Sequence, residues 1–293
     1  MSPNPKLTIG MATFDDFDGV YFSVQALRMY HPEVIDDIEI LVVDNNPDGA
    51  HGKAVKDFTN HWKGTKYIPF NEYQSTAIRN QIFKNASAPY VLSMDCHVLF
   101  FPGVIKKLIE YYEQNPNTKN LLQGPMVYDN LNTISTHFDP VWRAQMYGIW
   151  ATDDRAKDPT AEPFEIPMQG LGIFSAKKEN WLGFNPAFRG FGGEEGYIHE
   201  KYRKSGAKTL CLPFLRWVHR FQRPDGIKYP LTLGNKVRNY FIGCVELGLD
   251  ADPIYEHFLK ETKISKKLLD NLYEEATKLV RENSGRERLI YEI

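Results

Sequence analysis

The stretch 90–103, YVLSMDCHVLFFPG, places two potential metal ligands inside a run of apolar residues. Asp95 and His97 are separated by one residue, so both side chains point to the same side if the segment is extended. A carboxylate oxygen together with an imidazole nitrogen suits a divalent cation such as Mn²⁺, which accepts mixed oxygen and nitrogen ligands. The same pattern also fits an Asp cap followed by a histidine packed in the core. The motif alone leaves both interpretations open.

A second candidate is the segment 190–196, GFGGEEG. Gly192 and Gly193 have no side-chain bulk, so the backbone there can approach a bound sugar closely. Glu194 and Glu195 follow directly, and carboxylates at such a place can hold hydroxyl groups or accept a proton. A pair of glutamates after a glycine turn is also typical of a helix N-terminus, which favours negative charge.

The elements that must position these residues alternate between strand and helix from residue 7 to about residue 115. Apolar runs predict the strands, and segments with apolar residues at helical spacing separate them. This alternation favours a parallel α/β sheet covered by helices on both faces. We expect strands at 7–14, 38–43, 66–70 and 89–95, and helices at 20–31, 52–62, 75–86 and 103–116.

Acidic residues mark the ends of three of these strands. Asp15 and Asp16 follow the first strand, Asp44 the second, and Asp95 ends the fourth. Open α/β folds bind ligands at the carboxyl edge of the sheet, so we expect these residues to line one crevice. After about residue 120 the alternation weakens, which predicts mixed sheet and loops built over the crevice. Residues 250–284 predict a charged, amphipathic pair of helices that forms a small C-terminal appendage.

Four stretches together resemble one family of enzymes. They are VVDNNPDG (42–49), VLSMDCHVLFFPG (91–103), the segment 166–208 around GFGGEEG, and CLPFLRWVHRFQR (211–223). In the same order they are similar to the catalytic domain of the polypeptide N-acetylgalactosaminyltransferases, and more widely to GT-A fold and family-two glycosyltransferases. The likeness covers roughly residues 7–223. It implies a GT-A (Rossmann-like) α/β fold with a mostly parallel sheet, a UDP-sugar donor, and Mn²⁺ or Mg²⁺ as cofactor.

Carried over residue by residue, the resemblance implies that Asp95, His97 and His219 ligate the metal. It also implies that Asp44 accepts a hydrogen bond from the base or ribose of the nucleotide, and that Arg79 lies near the donor. A plainer interpretation exists for three of these residues: His219 could be a packed histidine, Asp44 a turn-forming aspartate, and Arg79 a helix-surface arginine.

The chain departs from this family at Glu195, where the family has Asn. Inverting relatives in the same superfamily carry an acidic residue there, which serves as the general base. The resemblance therefore gives Glu195 the role of taking the acceptor proton and Glu194 that of holding hydroxyl groups. Whether the anomeric configuration is inverted or retained stays open. Ser75 and Thr76 also replace a glycine of the family's pattern.

Composition and charge limit the other classes. With 35 Lys and Arg against 37 Asp and Glu, the net charge of −2 provides no general field for nucleic acid or anionic membranes. No apolar run reaches the roughly 18 residues of a membrane span, and residues 1–5 lack a signal-peptide segment. We expect a cytoplasmic enzyme whose three cysteines are small buried side chains. The expected catalytic domain is 1–235, with a nucleotide-binding half (1–115) and an acceptor and metal half (116–235), followed by a helical extension at 236–293.

The acceptor is a hydroxyl-bearing molecule: a glycan, a protein or a modified DNA base. Between residues 216 and 238, six basic residues stand against Asp225 alone: Arg216, Arg220, Arg223, Lys228, Lys236 and Arg238. Either one or two of them, Arg220 included, hold the donor pyrophosphate, or the group tracks the phosphates of DNA that carries hydroxymethylated bases. In general build the chain also resembles bacteriophage enzymes of that kind, which would act in the infected host cytoplasm. A non-catalytic alternative is a carbohydrate-binding module that stacks sugars on Trp142, Tyr147, Trp150 and Trp181.

Overall fold

The computed structural model describes residues 4–223 and 226–291, with side chains described as far as residue 283. Fourteen strands lie within these ranges: β1 (Leu7–Thr13), β2 (Ile38–Asp44), β3 (Thr65–Pro69), β4 (Tyr90–Asp95), β5 (Val98–Phe100), β6 (Leu121–Gln123), β7 (Met126–Val127), β8 (Ile134–Ser135), β9 (His137–Arg143), β10 (Met146–Ala151), β11 (Phe164–Glu165), β12 (Ile173–Lys177), β13 (Thr209–Cys211) and β14 (Trp217–His219). The same ranges contain eight α-helices: α1 (Phe17–Tyr30), α2 (Gly52–His61), α3 (Arg79–Asn85), α4 (Val104–Gln114), α5 (Glu194–Lys204), α6 (Leu233–Leu247), α7 (Asp252–Glu261) and α8 (Lys266–Tyr291). The strands and helices predicted between residues 7 and 116 are all confirmed, with ends that differ by a few residues.

The central sheet has the strand order β11-β13-β6-β12-β4-β1-β2-β3. Strands β4, β1, β2 and β3 are mutually parallel, and β13 is parallel to β6. β12 runs antiparallel between β4 and β6, and β11 runs antiparallel to β13. The sheet is therefore mixed, and its longest parallel run, formed by β4, β1, β2 and β3, comes from the first half of the chain, as predicted.

Helices cover both faces of this sheet because its central strands are apolar on both sides. Every residue of β2 is buried, and alternate residues join different parts of the core. Ile40 and Val42 belong to the cluster that contains α1 and α4, whereas Leu41 and Val43 belong to the one that contains α3, α5 and α6. The expected two-sided α/β layering is confirmed.

The register of the parallel strands brings the acidic strand ends to one edge. Thr13 pairs with Asp44, and Ala12 pairs with Asp95. Asp15 and Asp16 follow β1 directly, so they lie at the same carboxyl edge. The predicted crevice residues therefore share one edge of the sheet.

A second, smaller sheet has the order β5-β14-β7-β8 and lies just beyond that edge. β14 pairs antiparallel with β5, so that His219 is opposite Val98. This pairing brings a residue from late in the chain beside the Asp95–His97 turn. Sequence spacing could not indicate such a contact.

The C-terminal helices pack onto the main body. α6 buries Val237, Phe241 and Ile242 against the cluster that includes α5, and α7 and α8 confirm the predicted helical pair. The expected boundary at residue 235 falls inside α6, and the domain division remains a prediction. Among the described residues, no helix combines the length and the apolar character needed to cross a membrane.

Candidate active site

Three potential metal ligands converge at the carboxyl edge of the sheet. Asp95 ends β4, His97 lies in the turn to β5, and His219 ends β14. Asp95 Oδ2 lies 3.6 Å from His219 Nε2 and 3.9 Å from His97 Nε2. One ligand atom from each residue lies within 4.8 Å of the other two. The structure thus brings together the three residues that the resemblance implies as ligands.

Neighbouring side chains determine which nitrogen of His97 carries the proton. Nδ1 lies 3.1 Å from Asp16 Oδ2, and the guanidinium of Arg223 donates to Nε2 at 2.6 Å. Nδ1 therefore holds the proton, and Nε2, which accepts from Arg223, lies 3.9 Å from Asp95 Oδ2. Burial lowers the pKa of His97, which keeps the ring neutral, as a metal ligand must be. A carboxylate that orients a ligating histidine in this way is a frequent feature of metal sites.

The carboxylates of Asp16 and Asp95 stay ionised in spite of their burial. For Asp16, burial alone would raise the pKa, but the hydrogen bond with His97 and the Gly19 amide lower it to about 2. For Asp95, burial acts in the same direction and is outweighed by His219 and Arg79, which hold the pKa well below its usual range. Arg79 Nη2 is 2.9 Å from Asp95 Oδ1.

The residues fit a divalent cation. One carboxylate oxygen and two imidazole nitrogens form a mixed set that Mn²⁺ and similar ions accept. His219 Nδ1 is buried and has no hydrogen-bond partner within the described ranges. No neighbour there therefore fixes which nitrogen of the His219 ring carries the proton. The lone pair of His97 Nε2 is currently used by Arg223, and a bound cation would take the place of that guanidinium.

A cleft opens beside this cluster along the carboxyl edge. It is lined by the loop after β1, by Asn45, by segments 74–79 and 190–191, and by the cations Arg79, Arg220, Arg223 and Lys228. Arg79 is only 6% exposed, so it is no helix-surface residue; it interacts electrostatically with Asp95, Glu194 and Glu195. The cleft thus combines Asp95 and His97, two members of the three-residue cluster, with positive charge suited to phosphate groups.

Asp44 lies at the expected strand end, but its carboxylate faces the interior. Its oxygens accept hydrogen bonds from the Asn46 amide at 3.0 Å and from the Tyr67 hydroxyl at 2.9 Å. Burial raises the pKa of Asp44. The residue that lines the cleft is its neighbour Asn45. Contact between Asp44 and a nucleotide remains a prediction.

Gly192 and Gly193 have a structural reason to be glycine. Their φ angles of +103° and +90° lie in the left-handed region that residues with a Cβ rarely adopt. A Cβ on Gly193 would lie 3.1 Å from the Cβ of Asn239, because the turn packs tightly on α6. Gly190 and Phe191 of the same turn line the cleft. Contact of Gly192 or Gly193 with a sugar remains a prediction.

Glu194 and Glu195 occupy the first turn of α5, where the helix dipole favours their charge. Glu194 is fully buried, and neither of its carboxyl oxygens makes a hydrogen bond of ordinary geometry within the described residues. Burial first, and then the charge of Glu195, raise the pKa of Glu194. Glu195 is half-buried, and burial raises its pKa also. Both carboxyls are therefore better proton acceptors than ordinary glutamates.

Glu194→Gln should stabilise the protein increasingly as the pH rises above about 4.5, which is the ordinary pKa of a glutamate side chain. The unfolded state ionises there while the folded state keeps the proton, so stability falls with pH in the parent but not in the variant. The gain in the free energy of unfolding is about 1.4 kcal/mol for each unit by which the pKa of Glu194 is raised. Denaturant unfolding at pH 5 and pH 8 measures it. Glu256→Gln, at an exposed site on α7, is the control; an equal gain for Glu194→Gln at both pH values would contradict the account.

Gly172, just before β12, packs directly against the three-residue cluster. Its carbonyl accepts a hydrogen bond from the Asp95 amide at 2.8 Å. A Cβ at this position would lie 2.5 Å from the Trp217 ring and 3.3 Å from His219 Cδ2. The bare backbone therefore lets β14 bring His219 close to Asp95.

Gly172→Ala should weaken Mn²⁺ binding by about tenfold or more, because the new methyl group displaces the strand that carries His219. Isothermal titration with Mn²⁺ measures the affinity. Gly234→Ala on α6 is the matched control, since a Cβ there meets nothing within 4 Å. Unchanged Mn²⁺ affinity in a folded Gly172→Ala protein would show that this packing does not set the ligand geometry.

The six basic residues of segment 216–238 do not form one surface. Arg216 donates to the carbonyls of Ala156 and Lys157, and the buried Arg238 pairs with Glu275. Lys236 lies against Gly192. Arg220, Arg223 and Lys228 line the cleft, and Asp225 lies outside the described residues. The charge at the cleft suits a donor pyrophosphate better than an extended nucleic acid.

The aromatic residues considered for a binding module are packed among other side chains. Trp181 stacks on Phe83 with ring centroids 4.0 Å apart, and its indole N–H donates to Asn80. Trp150 packs edge-on against Phe138, and Trp142 lies among Tyr147, Tyr240, His257 and Phe258. These contacts give the rings a structural role in the core.

The sequence does not single out two participants in the site. It marks Asp16 only as a strand-end acid, yet Asp16 orients His97. The DDFDG pattern is its signal, since Asp16 also caps α1 by accepting from the Gly19 amide. The sequence marks Arg223 only as one of six basic residues, because its contact with His97 joins residues far apart in the chain and no local pattern indicates it.

A mixed α/β sheet with acidic residues and a D-x-H turn at its carboxyl edge, beside a cationic cleft, has the GT-A architecture of glycosyltransferases. The family model for glycosyl transferase family 2 matches residues 8–181, more than half of the chain. The chain belongs to glycosyl transferase family 2.

Solved structures provide a further comparison. The chain is similar to a crystal structure described as GalNAc-T7 with UDP, GalNAc and Mn²⁺, at a TM-score of 0.70 and 15% sequence identity. The match covers 95% of this chain and 55% of that one, so the present chain spans about half the length of its relative. At this identity the likeness shows the fold alone. A comparison of the sequence with curated proteins found no match.

Proposed function

We propose that this protein is a metal-dependent glycosyltransferase that moves a sugar from a nucleotide-sugar, in particular a UDP-sugar, to a hydroxyl group. The observation that carries the proposal is the convergence of Asp95, His97 and His219 at the carboxyl edge of a family 2 sheet. The UDP and Mn²⁺ named for GalNAc-T7 support the same choice of donor and metal.

The cluster would hold Mn²⁺, or Mg²⁺, through Asp95, His97 and His219. When bound, the cation supplies positive charge that stabilises the departing nucleoside diphosphate. Arg79 keeps Asp95 ionised, and Asp16 holds the His97 ring with its Nε2 lone pair toward the cluster. Arg220 and Lys228 place further positive charge on the cleft for the phosphates.

Glu195 would act as the general base that removes the proton from the acceptor hydroxyl. Its carboxyl group is half-buried at the start of α5, and burial raises the pKa of Glu195, which makes its ionised form a stronger base. Glu194, buried beside it, would hold hydroxyl groups through oxygens that make no hydrogen bond of ordinary geometry within the described residues. This arrangement favours an inverting transfer.

For the acceptor we propose only a hydroxyl-bearing molecule. Some basic residues of segment 216–238 make structural contacts and the others line the cleft, so they do not form one surface that could follow DNA phosphates. This arrangement gives no specific support to a DNA acceptor. The packed aromatic rings likewise give no specific support to a non-catalytic sugar-binding module.

A donor screen tests the proposal. The protein is incubated with a panel of nucleotide-sugars, with Mn²⁺ or with chelator, and release of nucleoside diphosphate is followed with and without glycan, protein or modified-DNA acceptors. We expect release from a UDP-sugar that requires the metal and rises with one acceptor class. Absence of release from every donor, in protein shown to be folded, would contradict the proposal.

A further inference from the structure

A second cluster of possible metal ligands lies on the opposite side of the His97 ring. It consists of Asp16 Oδ2, Cys96 Sγ and His97 Nδ1. The sulfur lies 3.5 Å from Asp16 Oδ2 and 3.6 Å from His97 Nδ1, and these last two atoms are 3.1 Å apart. The D-x-H site uses the other nitrogen, Nε2, so the two clusters share one imidazole but no ligand atom.

These separations match those of ligands around a tetrahedral zinc ion. Zinc bonds of about 2.3 Å to sulfur, 2.05 Å to nitrogen and 2.0 Å to oxygen, at tetrahedral angles, place the ligand atoms about 3.6 Å (S to N), 3.5 Å (S to O) and 3.3 Å (N to O) apart. The three observed distances agree to within about 0.2 Å. A cation could bind there with little movement of Asp16, Cys96 and His97, but Arg223 would have to leave Nε2, which would then carry the ring proton.

The surroundings leave these atoms available. Asp16 uses its other oxygen, Oδ1, to cap α1, so binding through Oδ2 would not break the cap. Asp16, Cys96 and His97 all line the cleft, which gives an ion a route to them. The buried Thr13 hydroxyl lines the same cleft and interacts with the Cys96 thiol, so it is placed to orient the sulfur.

We propose that Asp16, Cys96 and His97 Nδ1 form a second metal site, selective for thiophilic cations such as Zn²⁺ or Co²⁺ over Mn²⁺ and Mg²⁺. The selectivity follows from the sulfur ligand, which hard cations bind poorly. Binding releases the thiol proton to solvent and displaces the proton from Nδ1.

Metal binding at this second site should weaken metal binding at the site formed by Asp95, His97 and His219. When Nδ1 binds a metal, the ring proton that it held moves to Nε2, which then donates a hydrogen bond and no longer offers a lone pair. Zn²⁺ should therefore weaken Mn²⁺ binding at Asp95, His97 and His219 without competing for the same ligand atoms. This consequence rests on the proposed function, whereas the existence of the thiolate site does not.

Absorption spectroscopy of the full chain with Co²⁺ tests the site. We expect a near-ultraviolet thiolate-to-cobalt charge-transfer band and intense visible bands of tetrahedral Co²⁺. Cys96→Ser should lose the charge-transfer band, while Cys211→Ser and Cys244→Ser, at the other two buried cysteines, should keep it. Absence of the band in the parent, or its persistence in Cys96→Ser, would overturn the proposal. Should Cys96→Ser fail to fold, Asp16→Asn should still raise, by about tenfold or more, the Co²⁺ concentration at which the thiolate charge-transfer band is half developed.

Mn²⁺ titration of the same proteins separates this inference from the proposed function. Cys96→Ser should keep Mn²⁺ affinity, and His219→Ala should lose Mn²⁺ affinity but keep the cobalt band. A cobalt band that depends on Cys96, in a parent protein that binds no Mn²⁺, would uphold the thiolate site and contradict the metal dependence of the transfer.

Discussion

His219→Ala should reduce metal-dependent turnover by about 10²-fold or more and weaken Mn²⁺ binding in parallel. The variant leaves one carboxylate and one imidazole, and no other His, Cys, Asp or Glu in the described residues joins Asp95 and His97 in a group around that point. Loss of several kcal/mol of charge stabilisation in the transition state corresponds to a rate change of this size.

Parallel measurements of turnover and of Mn²⁺ affinity check this expectation. His61→Ala is the matched control, because His61 is an exposed histidine at the end of α2, remote from the cleft. A His219→Ala enzyme that kept full metal-dependent activity would show that the three-ligand site is wrong, even if Asp95 and His97 proved essential.

Glu195→Gln should lower kcat and kcat/KM together, by about 10²- to 10⁴-fold, while donor and metal affinity remain near normal. An acceptor hydroxyl has a pKa far above neutrality, so an inverting transfer needs a carboxylate that takes the proton in the transition state. Gln has nearly the same shape but cannot accept that proton. Because the lost interaction exists only in the transition state, ground-state binding should be spared.

Glu194→Gln provides the comparison within the same turn of α5. Its proposed contacts hold hydroxyl groups in both the ground state and the transition state, so this variant should raise KM as well as change kcat. Nuclear magnetic resonance of the product gives the anomeric configuration. A near-normal kcat for Glu195→Gln, together with a product that retains the donor configuration, would exclude Glu195 as base and indicate a retaining enzyme.

The first half of the fold could be predicted from the sequence because its signals are local. β1, β2 and β4 are short, predominantly apolar segments, and α4 shows apolar residues at helical spacing before Asn115-Pro116. Local spacing also indicated Asp95 and His97 as a pair on one side of the chain, and their ligand atoms do face one point.

The later half depends on contacts between distant residues, which periodicity cannot show. Insertion of β12 antiparallel beside β4 makes the sheet mixed, and the pairing of β14 with β5 brings His219 to Asp95. The burial of Arg79 against Asp95 has the same origin, since it needs α3 to pack beside the end of β4. The resemblance, and not the spacing, indicated His219.

Asp44 illustrates a different limit. Its position at the end of β2 was correctly predicted, because an apolar run followed by Asp-Asn-Asn-Pro marks a strand end. The direction of its carboxylate depends on Tyr67, a residue of the neighbouring strand β3. Gly193 is similar, since its glycine requirement comes from α6, more than 40 residues further along the chain.

The most direct test of the account is anomalous X-ray scattering at the manganese edge from crystals soaked with UDP and Mn²⁺. We predict a manganese peak between Asp95 Oδ2, His97 Nε2 and His219 Nε2, with Arg223 displaced from His97. The nucleotide should lie in the cleft at the carboxyl edge of β1, β2 and β4. Manganese at any other place, or UDP bound against α7 and α8 with none of these three residues touching metal, would contradict the account.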